Sequence, residues 1–196
     1  GREGTVFEHL PIGASTTRAS RLAADGVSCS VCHQITQEKL GTRESFVGGF
    51  DVDLTRPWGT RPMFGPYEVD RGRTTIMRSA TSFQPRQGNH VRSSEMCATC
   101  HTLYTHALAP GRDAQSEMPE QVPYQEWERS AYKDTQSCQS CHMPVVKEPV
   151  PMASVLGEPR EAVSRHSFLG GNFLMMRVFA RYGTERRGRR VIEIGA

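Results

Sequence analysis

One pattern, Cys-x-x-Cys-His, occurs three times and uses every cysteine of the 196-residue chain. The copies are Cys29–His33, Cys97–His101 and Cys138–His142, here called the first, second and third anchors. Two cysteines three residues apart lie on about one helical turn, so their sulfurs share a face. The pattern therefore predicts three short helical turns, each presenting two thiols and an imidazole to one ligand.

Three kinds of site use Cys-x-x-Cys: half of a zinc site, a redox dithiol and a haem attachment point. A closed zinc site takes four ligands, usually from two such pairs, so three pairs leave one unmatched. Zinc also gives no reason for His at one fixed offset. A redox dithiol is expected once, near a strand-to-helix junction. Only the haem interpretation explains both the spacing and the adjacent His, which becomes the proximal axial ligand.

The sequence therefore predicts three covalently bound c-type haems and their iron. Thioether bonds to the haems are assigned to Cys29, Cys32, Cys97, Cys100, Cys138 and Cys141. Proximal ligation is assigned to His33, His101 and His142.

Four histidines remain for the distal iron positions: His9, His90, His106 and His166. We expect His101 and His106 on one helix, where five residues rotate about 140°, so that His106 meets a second haem. His166 lies near Gly170 and Gly171, which allow close approach to a flat ring. His9 is the spare, or a ligand in a neighbouring chain. The alternatives are an ordinary surface or core histidine, and a methionine as sixth ligand.

Composition excludes several classes of protein. Hydrophobic residues make up 37% of the chain and charged residues 23%, which excludes a disordered, collagen-like or heptad-coil chain. A net charge of +3 is too mild to indicate a nucleic-acid partner. No apolar run reaches about 18 residues, so we expect no transmembrane helix.

Helix signals are few, because Pro and Gly are spread along the chain. We expect helices over Thr17–Ala24, from Ser93 or Ser94 through Cys97 to Ala107, over Tyr124–Lys133 after Pro123, and over Phe173–Tyr182. The segment from Gly41 to Gln84 is expected to be an irregular loop, because haems would supply the missing core.

Four segments resemble multihaem c-type cytochromes, the class that includes bacterial tetrahaem electron-transfer proteins. They are Asp25–His33, Cys97–His106, Cys138–Pro144 and Arg165–Asn172. The resemblance implies a mostly α fold with long irregular loops and little β structure, organised around closely packed, mostly bis-His haems. It also implies one trihaem domain over residues 1–196, although the class usually carries four or more haems.

The resemblance implies electron transfer in the periplasm or outside the cell. Since haem attachment implies export, we expect a processed chain or a fragment of a longer one. An electron carrier is expected rather than an enzyme, with other redox proteins or cytochromes as partners. The alternatives are a multihaem oxidoreductase with one open-site haem, and a subunit of an extracellular or membrane-associated haem assembly or homo-oligomer.

Overall fold

The structure is a computed structural model that describes residues 17–18, 20–21, 26–106, 117–153, 155–170, 177 and 181. The chain divides into two compact units, Gly1–Arg129 and Ser130–Ala196. The prediction of a single trihaem domain concerns the haem-loaded protein and stays a prediction. No helix among the described residues is long and apolar enough to cross a membrane, in agreement with the sequence analysis.

Short elements make up both units. In the described parts of the first unit the helices are α1 (Cys29–Cys32), α2 (Arg71–Thr81), α3 (Ser94–Ala98) and α4 (Pro123–Glu128). Its strands are β1 (Pro62–Gly65), β2 (Gln84–Gln87), β3 (Leu103–His106) and β4 (Glu117–Gln121), and its 3₁₀ turns are Arg43–Ser45 and Asn89–Arg92. The second unit contains α5 (Cys138–His142), β5 (Val150–Pro151) and β6 (Pro159–Arg160).

The prediction of a mostly α fold with little β structure is wrong. Only α2 exceeds six residues among the described helices, and three two-stranded sheets accompany them. β1 and β2 are parallel and α2 connects them, as a parallel pair requires a crossover. The pairs β3–β4 and β5–β6 are antiparallel. Short, Pro-broken segments form few helical turns, so local pairing of strands replaces the expected helices.

Two further local expectations are also wrong. The segment expected to be a loop contains β1 and α2, and α2 begins where Asp70 accepts a hydrogen bond from the Arg73 N–H at 2.9 Å. The helix expected to reach Ala107 ends at Ala98, and β3 follows it. His101 and His106 therefore do not share a helix, because Leu103–His106 pairs with β4.

One helix start is confirmed. Pro123 occupies the first turn of α4, where its missing N–H costs no helical hydrogen bond, but the helix ends at Glu128 rather than Lys133. Most residues of the helices expected over 17–24 and 173–182 lie outside the described residues.

The buried hydrophobic side chains of the described residues all lie in the first unit. They are Ile35, Met96, Ala98 and Tyr124. Tyr124 packs between Phe46 and Trp127, with ring centroids 5.9 and 5.6 Å away. Fourteen large hydrophobic side chains of the described residues are exposed, Trp58 and Phe168 among them. Folding therefore leaves much apolar surface uncovered by protein.

Candidate haem-binding sites

The three anchors share one local conformation. α1 and α5 are the first and third anchors themselves, and α3 contains Cys97 of the second. At the first two anchors the His N–H donates to the carbonyl of the first cysteine, His33 to Cys29 at 3.1 Å and His101 to Cys97 at 2.9 Å. One helical turn thus aligns the two thiols of a pair, as attachment to one porphyrin requires.

The six cysteines are free thiols and none is buried. In each pair one cysteine is exposed and the other is half-buried; Cys29, Cys100 and Cys141 are the exposed members. Their exposure leaves the thiols accessible to a large planar ligand. Among the described residues, no group of three or more His, Cys, Asp or Glu lies close enough to hold a metal ion.

The first and second anchors lie near each other. Although Cys100 is exposed as a residue, partial desolvation by surrounding protein atoms raises the pKa of its thiol above the ordinary value, and the nearby Cys32 raises it further. Burial likewise raises the pKa of Cys32, with a second contribution from Cys29. Thiols of the two anchors therefore lie within Coulombic range of one another, and both stay protonated at neutral pH.

Hydrogen bonds to one loop explain how these two anchors come together. Thr99 is completely buried, and its hydroxyl donates to the Ser45 carbonyl at 2.5 Å. The N–H groups of Gly48 and Val47 donate to the carbonyls of Thr99 and Thr102 at 2.7 and 3.1 Å. The loop that follows the first anchor thus pairs with the backbone around the second.

Two of the three proximal histidines are held by the same arrangement, which we call the backbone clamp. At the first anchor, Phe64 donates its N–H to the His33 carbonyl at 2.7 Å and accepts a hydrogen bond from His33 Nδ1 at 2.5 Å. At the third anchor, Leu169 donates its N–H to the His142 carbonyl at 3.0 Å and accepts from His142 Nδ1. In each case one residue far along the chain holds both the backbone and the ring.

The clamp has a chemical consequence. A neutral imidazole that donates from Nδ1 carries its lone pair on Nε2, the nitrogen that binds a metal. Metal-ligating histidines usually donate their other N–H to a backbone carbonyl or a carboxylate, which fixes the ring and raises its basicity. His33 and His142 therefore have the tautomer and the restraint of axial ligands, so the residues present fit a haem at these two anchors.

The clamp at the third anchor lies next to an unusual backbone conformation. Phe168, directly before Leu169, has a φ of 46°, in the left-handed region that costs a non-glycine residue about 1–3 kcal/mol. Its ring meets His166 edge-on, with centroids 5.8 Å apart. Sequence reasoning singled out this segment for His166 and its glycines, and missed Leu169 and Phe64 because a carbonyl has no residue-type signal.

The remaining predicted ligands differ in their surroundings. His101, His106 and His166 are exposed, with His106 at the end of β3. His90 lies in the 3₁₀ turn Asn89–Arg92, where its Nε2 is 2.9 Å from the Ile35 carbonyl. His9 lies outside the described residues.

Comparison with known proteins does not place this chain in a family. No protein-family model, no curated protein and no solved structure matches this chain.

Proposed function

We propose that this chain is an electron-transfer protein that carries three c-type haems, one at each anchor. The six anchor cysteines form the thioether bonds, and His33, His101 and His142 are the proximal ligands. The observation that carries the proposal is the backbone clamp, because it gives His33 and His142 the Nδ1 hydrogen bond typical of metal-ligating histidines. A surface histidine with no ligand role needs no such restraint on both its ring and its backbone.

When bound, each haem supplies an iron that gains and loses one electron. The chain's own residues attach it, fix the axial imidazole and bring neighbouring sites together. The backbone hydrogen bonds that connect Val47 and Gly48, in the loop after the first anchor, to the second anchor support short-range transfer between the first two sites. His106 and His166 are proposed as distal ligands, because both side chains are exposed and therefore accessible to a porphyrin face. His9 stays a candidate from the sequence alone.

The proposal implies a location and a class of partner. Covalent haem attachment takes place on exported chains, so we place the protein in the periplasm or outside the cell. Its partners are then other redox proteins or cytochromes. The exposed hydrophobic side chains support the haem proposal as well, since three macrocycles would cover apolar surface that the polypeptide leaves open.

Mass spectrometry of protein produced in a host that matures c-type cytochromes tests the haem count. We expect the intact mass to equal that of the polypeptide plus three haems. Replacing both cysteines of one anchor by serine, as in C138S/C141S, should remove one haem. The matched control is Ser140→Ala, which changes the same turn but keeps both thiols and should retain three. A bare polypeptide mass would contradict the proposal.

Electron paramagnetic resonance of the oxidised protein tests the electron-carrier function. Irons with two axial protein ligands are low-spin and have no open position for a substrate. We expect low-spin ferric signals only. A high-spin signal from the native protein would contradict the proposal and favour an oxidoreductase with one open-site haem.

A further inference from the structure

His90 is held in the first unit by contacts that engage its whole ring. Its Nε2 lies 2.9 Å from the carbonyl of Ile35, a residue that is 1% exposed. A carbonyl oxygen only accepts, so His90 Nε2 is the protonated nitrogen and Nδ1 carries the lone pair. Nδ1 is itself buried and has no hydrogen-bond partner among the residues that the structure describes. The nitrogen through which a histidine usually binds haem iron is therefore committed to the backbone.

The same ring supports the clamp on the first anchor. Phe64, whose backbone holds His33, meets the His90 ring edge-on with centroids 4.8 Å apart. Ile35, which accepts the His90 hydrogen bond, lies two residues after His33 and bonds back to the Cys32 carbonyl at 3.2 Å. His90 thus contacts two parts of the chain next to His33. One is Phe64 in β1, which forms the clamp, and the other is Ile35, which follows His33 in the sequence.

Gly88 completes the enclosure of this ring. A Cβ at position 88 would lie 2.6 Å from His90 Cε1, 2.9 Å from Nδ1 and 3.0 Å from Phe64 Cδ1. Real Cβ contacts are not that short, so any side chain here must displace the His90 ring or Phe64. Gly88 also donates its N–H to the Gly65 carbonyl at 2.9 Å, which holds it against β1. The absence of a side chain at this position is therefore required by the position of His90.

We propose that His90 is a positioning residue for the proximal ligand His33, and not a distal ligand of any iron. This inference rests on the proposed function, because it assigns a role toward the haem of the first anchor. By fixing Phe64 and Ile35, His90 keeps the carbonyl of Phe64 on Nδ1 of His33. That hydrogen bond makes the imidazole a stronger donor and stabilises ferric iron.

The variants His90→Phe and His90→Gln separate positioning from ligation. Both remove an imidazole, so loss of a distal ligand would turn one haem high-spin in each. We expect three haems by mass and low-spin signals only in both variants. In H90F one midpoint potential should rise, so that the ferric-to-ferrous ratio of that haem falls about threefold at a fixed ambient potential. This effect is smaller than the 10–100-fold loss of metal affinity or activity that is typical when a hydrogen-bond partner of a metal ligand is replaced. H90Q, whose amide can donate to Ile35, should recover most of this shift.

A second pair of variants leaves every candidate ligand in place. Gly88→Ala should displace the His90 ring and raise the same potential as H90F. Gly65→Ala is the matched control, because a Cβ there meets nothing within 4 Å. Nuclear magnetic resonance of the reduced native protein adds a measurement without mutation. We expect a proton on His90 Nε2 and ring protons without the large ring-current shifts of an iron-bound imidazole.

The outcomes are distinguishable. A native protein without haem on Cys29 and Cys32 overturns the proposed function and this inference together. With three haems present, a high-spin haem in both His90 variants or a ring-current-shifted His90 ring overturns this inference alone. Unchanged midpoint potentials in both H90F and G88A also overturn it, because His90 would then have no effect on the haem of the first anchor.

Discussion

The first and third anchors hold the proximal histidine by the same two hydrogen bonds but in different surroundings. His33 is half-buried, and its clamp residue Phe64 is packed against His90. His142 is exposed, and so is its clamp residue Leu169, at 54%. In residues 130–153 and 155–170, the described body of the second unit, only Gln139 is buried. The same backbone pattern therefore orients a histidine ring in both units, while the described side chains around that ring are more buried in the first.

The two units differ in the contacts that stabilise them. In the first unit, side chains such as Tyr124 and Thr99 are buried within the polypeptide and add stability before any cofactor is considered. In the second unit, backbone hydrogen bonds such as Val146 N–H to Val163 and Arg165 N–H to Pro144 connect segments that are only partly buried. Hydrogen bonds of this kind each contribute about 0.5–1.5 kcal/mol, so the described part of the second unit depends on several small contributions rather than on buried side chains.

The largest effect is expected from a matched pair of tyrosines. Tyr124 is 6% exposed and lies between two aromatic rings, so Tyr124→Ala should lower the free energy of unfolding of the first unit by about 3–5 kcal/mol. Tyr132 of the second unit is 59% exposed, and Tyr132→Ala should cost less than about 0.5 kcal/mol. Guanidinium denaturation followed by circular dichroism measures both. Equal losses would contradict the contrast between the units.

A pair of threonines tests a single buried hydrogen bond. Thr99→Val keeps the shape of the side chain but leaves the Ser45 carbonyl without the hydroxyl that donates to it, which should cost about 1–3 kcal/mol. Thr135 makes a comparable bond to the Tyr132 carbonyl at 3.3 Å, but it is exposed to water. Thr135→Val should therefore change the free energy of unfolding by less than about 0.5 kcal/mol. If Thr99→Val left the free energy of unfolding unchanged, this bond would not hold the second anchor to its loop.

The helix starts of two anchors allow a smaller test, in which the second unit is the more sensitive. Ser137 caps α5, accepting a hydrogen bond from the Ser140 N–H at 3.3 Å, whereas Ser28 makes no cap bond to α1. Ser137→Ala should weaken α5 by about 1 kcal/mol. The measurement is hydrogen exchange of the Met143 amide, which bonds to the Gln139 carbonyl at 2.8 Å. Ser28→Ala, read at the His33 amide, is the control and should change little; the reverse order would refute the capping assignment.

The smallest effect concerns the exposed helix α2 and its dependence on pH. The Arg73 N–H lowers the pKa of the Asp70 carboxyl below its ordinary 3.8, and the nearby Arg73 charge lowers it further. Because the folded pKa is depressed, the stabilisation is present above the ordinary pKa and is lost as pH falls through the folded value. Hydrogen exchange in α2 should therefore accelerate in acid.

Two variants check this assignment. Asp70→Asn keeps an acceptor at the cap and should remove the acid dependence, while Asp70→Ala should accelerate exchange at neutral pH as well. Unchanged exchange in Asp70→Ala would mean that the cap does not hold α2. Since α2 buries none of its side chains, the effect should stay within this helix and leave the core around Tyr124 unaltered.

The sequence predicted local features where one residue type has one physical role. Pro123 marks the start of α4 because it has no N–H to lose, and the Cys-x-x-Cys spacing corresponds to one helical turn at each anchor. Elsewhere the chain forms less helix than its sequence predicts. Leu103–His106 does not continue the helix because it pairs with β4. The helix α2 was not predicted because Ile76 and Met77 are its only large apolar residues, which is too few for a helical repeat to be recognised.

The sequence by itself determined that the three thiol pairs share one spacing and which imidazole stands beside each pair, because covalent spacing is a local property. Only the tertiary structure decided what holds those imidazoles. Phe64 and Leu169 act through backbone atoms that every residue possesses, 31 and 27 positions away from the histidines they clamp. Likewise His90 looks like any spare ligand in the sequence, and folding directs its Nε2 to Ile35. Long-range contacts of this kind depend on how the chain packs, which no local pattern encodes.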